Sequence, residues 1–310
     1  RFYYNMPNLE VYVISKRLLG RTLAFAKGVM QSDPKWNVKV VPLKNFLQNG
    51  FSKDLKKGDA IATWGILRGT GILIKEAKKR KIDYYFMDHS YFKTENKEDE
   101  WYRIVKNNHS CTSLGIVSDQ RWTKYFANTN RCLPWKNQEN CGSNILICPP
   151  THAVSWYQNL NYNWCDNTVN QLRKILPKSR HKNIKIRLKP NEPIVNDQGD
   201  ILKLEPNESN VSLEEDLKDS HCVIAYNSNV ALQATIMGIP VIVGDISPCK
   251  PISYDLNDFK RNEKDLTSHF NKEPKNRMNL LYWLANNQWK LSEIENGTAW
   301  NMLKKYEKFY

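Results

Sequence analysis

The segment with the clearest structural pattern in this chain is His221-Cys-Val-Ile-Ala-Tyr-Asn-Ser-Asn-Val-Ala-Leu-Gln-Ala-Thr-Ile-Met-Gly-Ile-Pro-Val-Ile-Val243. Its apolar start predicts a buried strand over His221–Tyr226, followed by a helix over Asn229–Met237. A Gly-Ile-Pro turn then leads into a second strand, Ile239–Val243. The helix would begin beside the end of the first strand with its N–H groups unpaired, which suits a bound phosphate. An ordinary strand–helix–strand crossover without a ligand would show the same pattern.

The same alternation of strands and helices is predicted along most of the chain. It indicates parallel sheets, whose ligand sites lie beyond the carboxyl ends of the strands. Ser212 and Glu215 have the spacing of a capping box at the start of a further short helix. The other predicted strands are Leu9–Ser15, Val38–Val41, Ala60–Trp64, Asp83–Met87, Asn144–Cys148 and Lys185–Leu188, and the other predicted helices are Lys16–Met30, Thr70–Arg80 and Thr168–Leu176.

The domain boundary is predicted near Gly142. Lys93–Glu100 is a charged loop, and Leu133–Gly142 contains Pro, Asn, Gln and Gly without periodicity, as a linker does. A new strand follows at once. We therefore expect an α/β protein of two doubly wound domains, residues 1–141 and 142–275, and a helical C-terminal segment over residues 276–310.

Composition narrows the class of protein. The chain has 310 residues, 41% of them hydrophobic, which is enough for two domains with separate cores. No apolar run reaches the roughly 18 residues of a membrane-spanning helix, and no signal-peptide pattern follows Arg1, so we expect a cytoplasmic protein without a membrane span. The cysteines lack zinc-ligand spacing and are expected to be reduced thiols. They are Cys111, Cys132, Cys141, Cys148, Cys165, Cys222 and Cys249.

Positive charge is concentrated in the first half of the sequence. The formal net charge is +14; residues 1–140 hold 25 Lys and Arg against 13 Asp and Glu, whereas residues 141–310 hold 21 against 19. A field of this sign attracts polyanions and predicts a polyanion-binding face. A lysine-rich surface that reflects only the composition of an AT-rich genome is the alternative.

The segment His221–Val243 resembles the donor half of glycosyltransferase B enzymes, in which a strand, an Asn/Ser-rich turn, a helix and a Gly-x-Pro turn bracket the diphosphate of a nucleotide sugar. Looser similarity to phage-encoded glycosyltransferases, which are related to capsular polysaccharide transferases, covers five further segments. These are Trp64–Gly69, Tyr85–Phe92, Tyr102–Asn107, Ile186–Pro190 and Tyr282–Trp300. The resemblance implies a glycosyltransferase B fold, with two Rossmann-like domains facing a cleft.

Two groups of residues are candidates for binding the donor. Arg187 and Lys189 leave the end of a predicted strand and would reach a diphosphate, unless they form a solvated strand end. Amides of Asn227, Ser228 and Asn229 would meet the phosphates at the start of the helix. Tyr226 would stack or hydrogen-bond beside the donor, although a place in the core is equally compatible with the sequence.

Asp88 is the first candidate for the catalytic base of an inverting transfer, because it follows a predicted strand at its carboxyl end. His89 is the second candidate, since its unperturbed pKa suits the task. Neighbouring strand residues point to opposite faces, so only one of the two should face the cleft. Asp88 could instead cap the following turn. The stereochemistry of transfer stays open.

The acceptor is expected to bind the basic first domain. Gly65 and Gly69, which flank the candidate Arg68, allow the backbone to approach a ligand closely. Lys78, Lys79, Arg80 and Lys81 would contact phosphates, and Arg103, Trp101, Tyr102 and Trp122 would add further contacts and stacking surfaces. A charge run that is only solvated is the alternative for Lys78–Lys81.

What the resemblance implies for activity is transfer of a hexose from a nucleotide sugar, UDP-glucose in the simplest case. The acceptor would be hydroxymethylated pyrimidines, such as 5-hydroxymethylcytosine, in double-stranded phage DNA, with the base extruded from the duplex. No metal and no tightly bound cofactor are expected. Alternatives are a cytoplasmic transferase of capsular or lipopolysaccharide synthesis, a sugar-nucleotide epimerase, and a DNA-binding module without catalysis.

Overall fold

The computed structural model describes residues 6–14, 16–94, 96, 99–136, 140–256 and 272–307. Residues 137–139 of the predicted linker, residues 95, 97 and 98 of the predicted charged loop, and the last three residues of the predicted C-terminal segment lie outside this part of the chain.

Contacts divide the chain into two compact units. The first comprises residues 1–111, 196–201 and 284–310, and the second comprises residues 112–195 and 202–283. These bounds differ from the predicted domains 1–141, 142–275 and 276–310. The division into those domains stays a prediction. The units do not follow one another along the chain, because the chain returns to the first unit twice, at residues 196–201 and 284–310.

The first unit is built on a six-stranded sheet of order β12-β5-β4-β3-β1-β2. Strands β2, β1, β3 and β4 are parallel, whereas β5 is antiparallel to β4 and β12 is antiparallel to β5. The strands are β1 (Asn8–Val13), β2 (Asn37–Pro42), β3 (Ala60–Trp64), β4 (Asp83–His89), β5 (Trp101–Lys106) and β12 (Gln288–Lys290).

Helices from both ends of the chain cover this sheet. They are α1 (Lys16–Ser32), α2 (Leu43–Asn49), α3 (Thr70–Arg80), α10 (Leu291–Glu295) and α11 (Thr298–Tyr306). The core joins Leu9 and Phe25 to Trp289 and Trp300, all fully buried. A Cβ atom at Gly28 would lie 2.0 Å from the carbonyl oxygen of Ile294, so glycine is required where α1 and α10 meet. The predicted helical C-terminal segment therefore contributes core and a strand to the first unit.

The second unit contains a parallel sheet of order β11-β10-β6-β7. Its strands are β6 (Asn144–Cys148), β7 (Ile184–Ile186), β10 (Ser220–Ala225) and β11 (Val241–Val243), and β8 (Glu192–Val195) pairs separately with β9 (Ile201–Glu205). Branched residues such as Ile145, Ile147 and Ile224 fill the core against Leu172. The remaining helices are α4 (Gln120–Tyr125), α5 (His152–Gln158), α6 (Trp164–Ile175), α7 (Leu213–Lys218), α8 (Asn229–Ile236) and α9 (Arg277–Asn286), of which the last three residues of α9 belong to the first unit.

The predicted α/β class with parallel sheets is confirmed, with one antiparallel strand, β5, inserted in the first sheet. The bounds of β3, α3 and β6 match the prediction, and the capping box of Ser212 and Glu215 is present at α7. Strands β5, β8, β9 and β12 and helices α2, α4 and α5 were not predicted, since they are short or lack a clean period. Among the described residues, no helix is long and apolar enough to cross a membrane.

Candidate functional site

A cavity of about 460 Å³ opens at the carboxyl ends of β10 and β11 in the second unit. This is the edge at which parallel α/β sheets bind ligands. Its lining combines three aromatic rings, Trp164, Tyr226 and Tyr254, with the carboxylates Asp245 and Asp255. A flat aromatic ligand with hydroxyl groups fits this combination.

The aromatic side of the cavity is held in place by backbone contacts. The N–H of Gly244 donates to the carbonyl oxygen of Tyr226 over 2.9 Å, and a Cβ atom at Gly244 would lie 2.4 Å from the Tyr226 ring. Tyr226 and Trp164 meet edge to face at 6.3 Å. Burial, reinforced by the charge of Asp245, raises the pKa of Tyr226, so its hydroxyl stays protonated and able to donate a hydrogen bond.

The polar rim of the cavity carries one ion pair. Lys250 Nζ lies 2.7 Å from Asp245 Oδ1, and both side chains are well exposed. Ser253 Oγ accepts from the N–H of Val243 at 2.9 Å and donates to the carbonyl oxygen of Tyr254 at 2.8 Å. An exposed ion pair of this kind contributes little to stability.

The turn between β10 and α8 matches the sequence prediction. Ser228 precedes α8, and its Oγ accepts from the N–H of Val230 at 3.2 Å. The predicted donor residues Tyr226, Asn227, Ser228 and Asn229 therefore lie together at the carboxyl end of β10. Of these four, Tyr226 lines the cavity.

Arg187 is engaged with other groups. Its Nη1 pairs with Asp216 and donates to Ser209 Oγ at 3.0 Å and to the carbonyl oxygen of Val211 at 2.9 Å. A diphosphate would have to replace these partners. Lys189 is exposed, and its carbonyl oxygen accepts from Asn207 Nδ2 at 3.0 Å. Both residues follow β7, two strands from β10, so their donor role stays a prediction.

A histidine that the sequence analysis missed lies at the same edge. His152 begins α5 just after β6, and its Nδ1 accepts from the N–H of Val195 at 3.3 Å. The backbone N–H of His152 donates to Glu192 Oε1 at 2.5 Å, and the imidazole ring stacks on Tyr162 at 4.6 Å. The sequence feature that could have identified His152 is its position directly after the predicted strand and turn, Asn144–Thr151.

In the first unit, Asp88 and His89 end β4 as predicted candidates for catalysis. Asp88 Oδ2 accepts from Arg103 Nη2 at 2.8 Å, and Asp88 Oδ1 accepts from the N–H of His89 at 2.8 Å. Burial acts to raise the pKa of Asp88, but the Arg103 guanidinium and nearby histidines hold it below its usual value. A carboxylate with a lowered pKa and two bound donors is a weak base. The catalytic role of Asp88 stays a prediction.

The His89 side chain is exposed and meets Trp64 edge to face at 5.3 Å. Arg103 also donates to the carbonyl oxygen of His89 at 3.1 Å, so it fixes the end of β4. Arg103 is only 5% exposed, which leaves little of it for the predicted acceptor contact. Trp101, Tyr102 and Trp122 are buried as well, and the prediction that they offer stacking surfaces is wrong. They pack the core because aromatic area is more stable out of water.

The predicted basic run lies away from the predicted catalytic residues. Lys78, Lys79 and Arg80 form the last turn of α3, and Lys81 follows it with a φ of 57°. The run therefore precedes β4, whereas Asp88 and His89 end it, and seven strand residues span about 20 Å. Cations at the C-terminus of a helix also offset its dipole, which is a structural role.

Two arginines of the predicted acceptor set, Arg68 and Arg80, lie at different places in the first unit. Arg68 is exposed in the loop after β3, with a φ of 59°, and its N–H donates to the carbonyl oxygen of Gly199 at 2.9 Å. The loop starts where Gly65 donates to the carbonyl oxygen of Met87 at 2.9 Å, so Arg68 lies at the same sheet edge as His89. Arg80 instead pairs with Glu76 at 2.7 Å. No group of three or more His, Cys, Asp or Glu residues within the described ranges could hold a metal ion.

Comparison with known proteins yields only distant structural likenesses. No protein-family model and no curated protein matches the chain. It is similar to KpsC of Thermosulfurimonas dismutans, a beta Kdo 2,7 transferase, at 11% identity and a TM-score of 0.44 over 96% of this chain and 99% of that one.

Two further solved structures are less alike. A UDP-N-acetylglucosamine 2-epimerase from Listeria monocytogenes, itself described as putative, has 14% identity and a TM-score of 0.28 over 97% of this chain and 95% of its own. The heptosyltransferase WaaC of E. coli with ADP has 13% identity and a TM-score of 0.24 over 81% of this chain and 91% of its own. Scores this low carry no argument about the site.

Proposed function

We propose that this chain is a nucleotide-sugar-dependent glycosyltransferase that binds its donor at the carboxyl edge of the second sheet. The observation that carries the proposal is the cavity of about 460 Å³, whose lining includes Trp164, Tyr226 and Tyr254 together with Asp245 and Asp255. A nucleobase would stack on the aromatic rings, and the carboxylates would accept hydrogen bonds from ribose hydroxyls, as acidic residues do at this edge of α/β sheets.

The diphosphate would extend from the cavity towards the start of α8. Tyr226 lines the cavity, and Ser228 caps α8 two residues later, so the nucleoside and phosphate sites are contiguous along the chain. The helix dipole and the exposed Lys250 both favour negative charge there. UDP-glucose is the simplest donor of this type.

For the acceptor, we favour a saccharide over DNA. The hydroxymethylated-DNA acceptor implied by the sequence resemblance needs a basic face beside the catalytic residues. The run Lys78–Lys81 instead lies at the opposite end of β4 from His89, and Arg103 is buried in an ion pair. A small saccharide acceptor needs no such face. Hydroxymethylated DNA remains the second candidate because of the net charge of +14.

The test is incubation of the chain with UDP-, GDP-, ADP- and CMP-linked sugars and two acceptor pools, oligosaccharides and hydroxymethylated duplex DNA. Mass spectrometry of both pools would detect transfer. We expect a mass increase in the oligosaccharide pool for one donor. Transfer only to DNA would replace the acceptor proposal, and absence of donor binding by calorimetry would contradict the proposed function itself.

A matched pair of variants links the result to the cavity. Tyr254→Ala removes a ring of the lining, whereas Tyr125→Ala removes a ring from α4, outside the lining. We expect the first to weaken donor binding about 5- to 100-fold, the range for removing one base–aromatic stack, and the second to leave it unchanged.

A further inference from the structure

The carboxyl edge of the second sheet carries a polar cluster next to the cavity. The sheet order β11-β10-β6-β7 places β6 beside β10, and neighbouring strands are about 4.8 Å apart. His152 follows β6, and Tyr162 precedes the cavity residue Trp164 by two positions. A ligand whose nucleoside lies over β10 and β11 would extend towards this cluster with its other end.

The orientation of the His152 proton follows from its hydrogen bond. Nδ1 accepts the N–H of Val195 at 3.3 Å, and an imidazole nitrogen accepts only when it carries no proton. The neutral ring therefore carries its proton on Nε2. His152 offers one fixed N–H donor at the edge of the sheet.

Tyr162 adds an exposed aromatic surface to the cluster. Its ring stacks on His152 with an interplanar angle of 23° and a centroid distance of 4.6 Å, and the side chain is 58% exposed. An aromatic ring that is half open to solvent and fixed by a partner on one face can cover the apolar face of a pyranose.

Glu192 sets the charge of the cluster. Its Oε1 accepts a hydrogen bond from the backbone N–H of His152 at 2.5 Å, which holds a carboxylate at the start of α5. A phosphate would be repelled at this position, whereas sugar hydroxyls donate to carboxylates and accept from imidazole N–H groups. The three side chains together match a neutral polyhydroxyl ligand.

We propose that His152, Tyr162 and Glu192 form the subsite for the sugar of the nucleotide-sugar donor, an inference that rests on the proposed function. The nucleoside would occupy the cavity over β10 and β11, the diphosphate would pass the turn before α8, and the sugar would lie beyond β6. The subsite would contribute to binding only when a sugar is attached to the nucleotide.

The experiment compares each nucleotide sugar of the UDP, GDP, ADP and CMP panel with its own free nucleotide by calorimetry. His152→Asn moves the donor away from the Nε2 position, whereas His152→Gln places an amide N–H near it. For His152→Asn and Tyr162→Ala we expect about 3- to 10-fold weaker binding of the nucleotide sugar, the range for removing one hydrogen bond or one aromatic ring, and an unchanged affinity for the nucleotide. His152→Gln should retain most of the affinity.

His181→Asn is the matched control, because His181 lies in the short 3-10 helix Lys178–Asn183 that precedes β7, at the other edge of the sheet, and bonds only carbonyl oxygens of Arg173 and Leu176 in the described structure. Equal loss for nucleotide and nucleotide sugar would assign the cluster to the diphosphate and overturn the inference, as would unchanged affinity in all variants. If the unaltered chain binds no nucleotide sugar, the proposed function fails together with the inference. If it binds one and the variants do not differ, the inference fails alone.

Discussion

At the scale of single residues, the first unit uses an ion pair to fix the end of β4. Arg103 binds both the Asp88 carboxylate and the carbonyl oxygen of His89, and its guanidinium lies 5.2 Å from the centre of the Tyr91 ring. The exposed His89 imidazole is thereby held at the sheet edge. Sequence alone favoured Asp88 as the base because it follows a predicted strand at its carboxyl end, and the ion-pair partner, fifteen residues later, could not be identified.

We expect Asp88→Asn to lower the free energy of unfolding by about 3 kcal/mol, because it leaves the buried Arg103 charge without a counter-ion. Asp88→Asn combined with Arg103→Met should recover part of that loss, since no buried charge then remains. Urea unfolding at pH 7 measures both. A double variant that is no more stable than Asp88→Asn alone would contradict this account of the pair.

His109 should make the first unit sensitive to acid. Burial, assisted by the Arg103 charge, lowers the pKa of His109 to about 3, and its ring stacks on Phe86 at 4.7 Å. The unfolded chain takes up the proton as pH falls below about 6.5, whereas the folded chain does not, so stability decreases between pH 7 and pH 5. His109→Phe should remove about 2 kcal/mol of that decrease, as measured by urea unfolding at both values.

The Asp88–Arg103 pair does not interfere with that measurement. The folded pKa of Asp88 is lowered, so its contribution is complete above the unfolded value of about 3.9 and is lost only below it. An acid sensitivity that is the same in His109→Phe and in the unaltered chain would show that another group is responsible.

At the scale of elements, the Gly-Ile-Pro turn after α8 is fixed by its surroundings as well as by its backbone. Gly238 has a φ of 75°, and a Cβ atom there would lie 2.0 Å from the carbonyl oxygen of Pro134. Gly50 ends α2 with a φ of 73° and has no atom within 4 Å of the corresponding position. The two glycines therefore separate backbone strain from steric conflict.

We expect Gly50→Ala to cost about 1–3 kcal/mol, the penalty for a residue other than glycine at a φ of 73° and a ψ of −166°, and Gly238→Ala, which adds the steric conflict, to cost about 4 kcal/mol or more. Thermal unfolding of the two variants measures the difference. Equal losses would mean that the segment containing Pro134 moves aside without cost.

The C-terminal turn of α3 gives a prediction about the basic run. If Lys78, Lys79, Arg80 and Lys81 serve only the helix end, replacing all four with Ala leaves glycosyl transfer unchanged and lowers stability by about 1 kcal/mol. If they bind DNA, the salt dependence of DNA binding should flatten by about one unit for each phosphate that these four side chains neutralise. Titrations of duplex DNA at several salt concentrations distinguish the two.

At the scale of the whole molecule, the division into compact units changes the meaning of the charge pattern. By sequence halves, the net charge is +12 for residues 1–140 and +2 for the rest. By compact units, 25 Lys and Arg against 16 Asp and Glu give +9 for the first, and 21 against 16 give +5 for the second. The predicted asymmetry is weaker in the folded chain, because residues 112–140, with a net charge of +2, belong to the second unit and the acidic residues 197 and 200 belong to the first.

The C-terminal segment should be essential to the first unit. Trp300 is 1% exposed, packs against Phe25, Trp36 and Tyr85, and donates from Nε1 to Asp33 Oδ2 at 3.1 Å. We expect Trp300→Ala to lower the free energy of unfolding by about 3–5 kcal/mol. Leu202→Ala, on a side chain that is 65% exposed, is the control and should change it by less than about 0.5 kcal/mol.

Much of the fold could be predicted from the sequence because its signals are local. Short runs of apolar residues identified β3 and β6, a period near 3.6 identified α3, and the polar residues before Asn229 located the start of α8. The α/β class and the position of the candidate site at the carboxyl edge of the second sheet follow from that alternation. Short elements such as β12 and α5 gave no usable period, so they were missed.

Only the tertiary structure determined which distant residues meet. The pairing of β12 with β5 joins positions nearly two hundred residues apart, and it carries Trp289 and Trp300 into the core of the first unit. The same long-range packing buries Arg103 against Asp88 and brings Val195 to His152. Local sequence fixes backbone conformation, whereas such contacts depend on how apolar area is removed from water across the whole unit, a quantity that no short segment encodes.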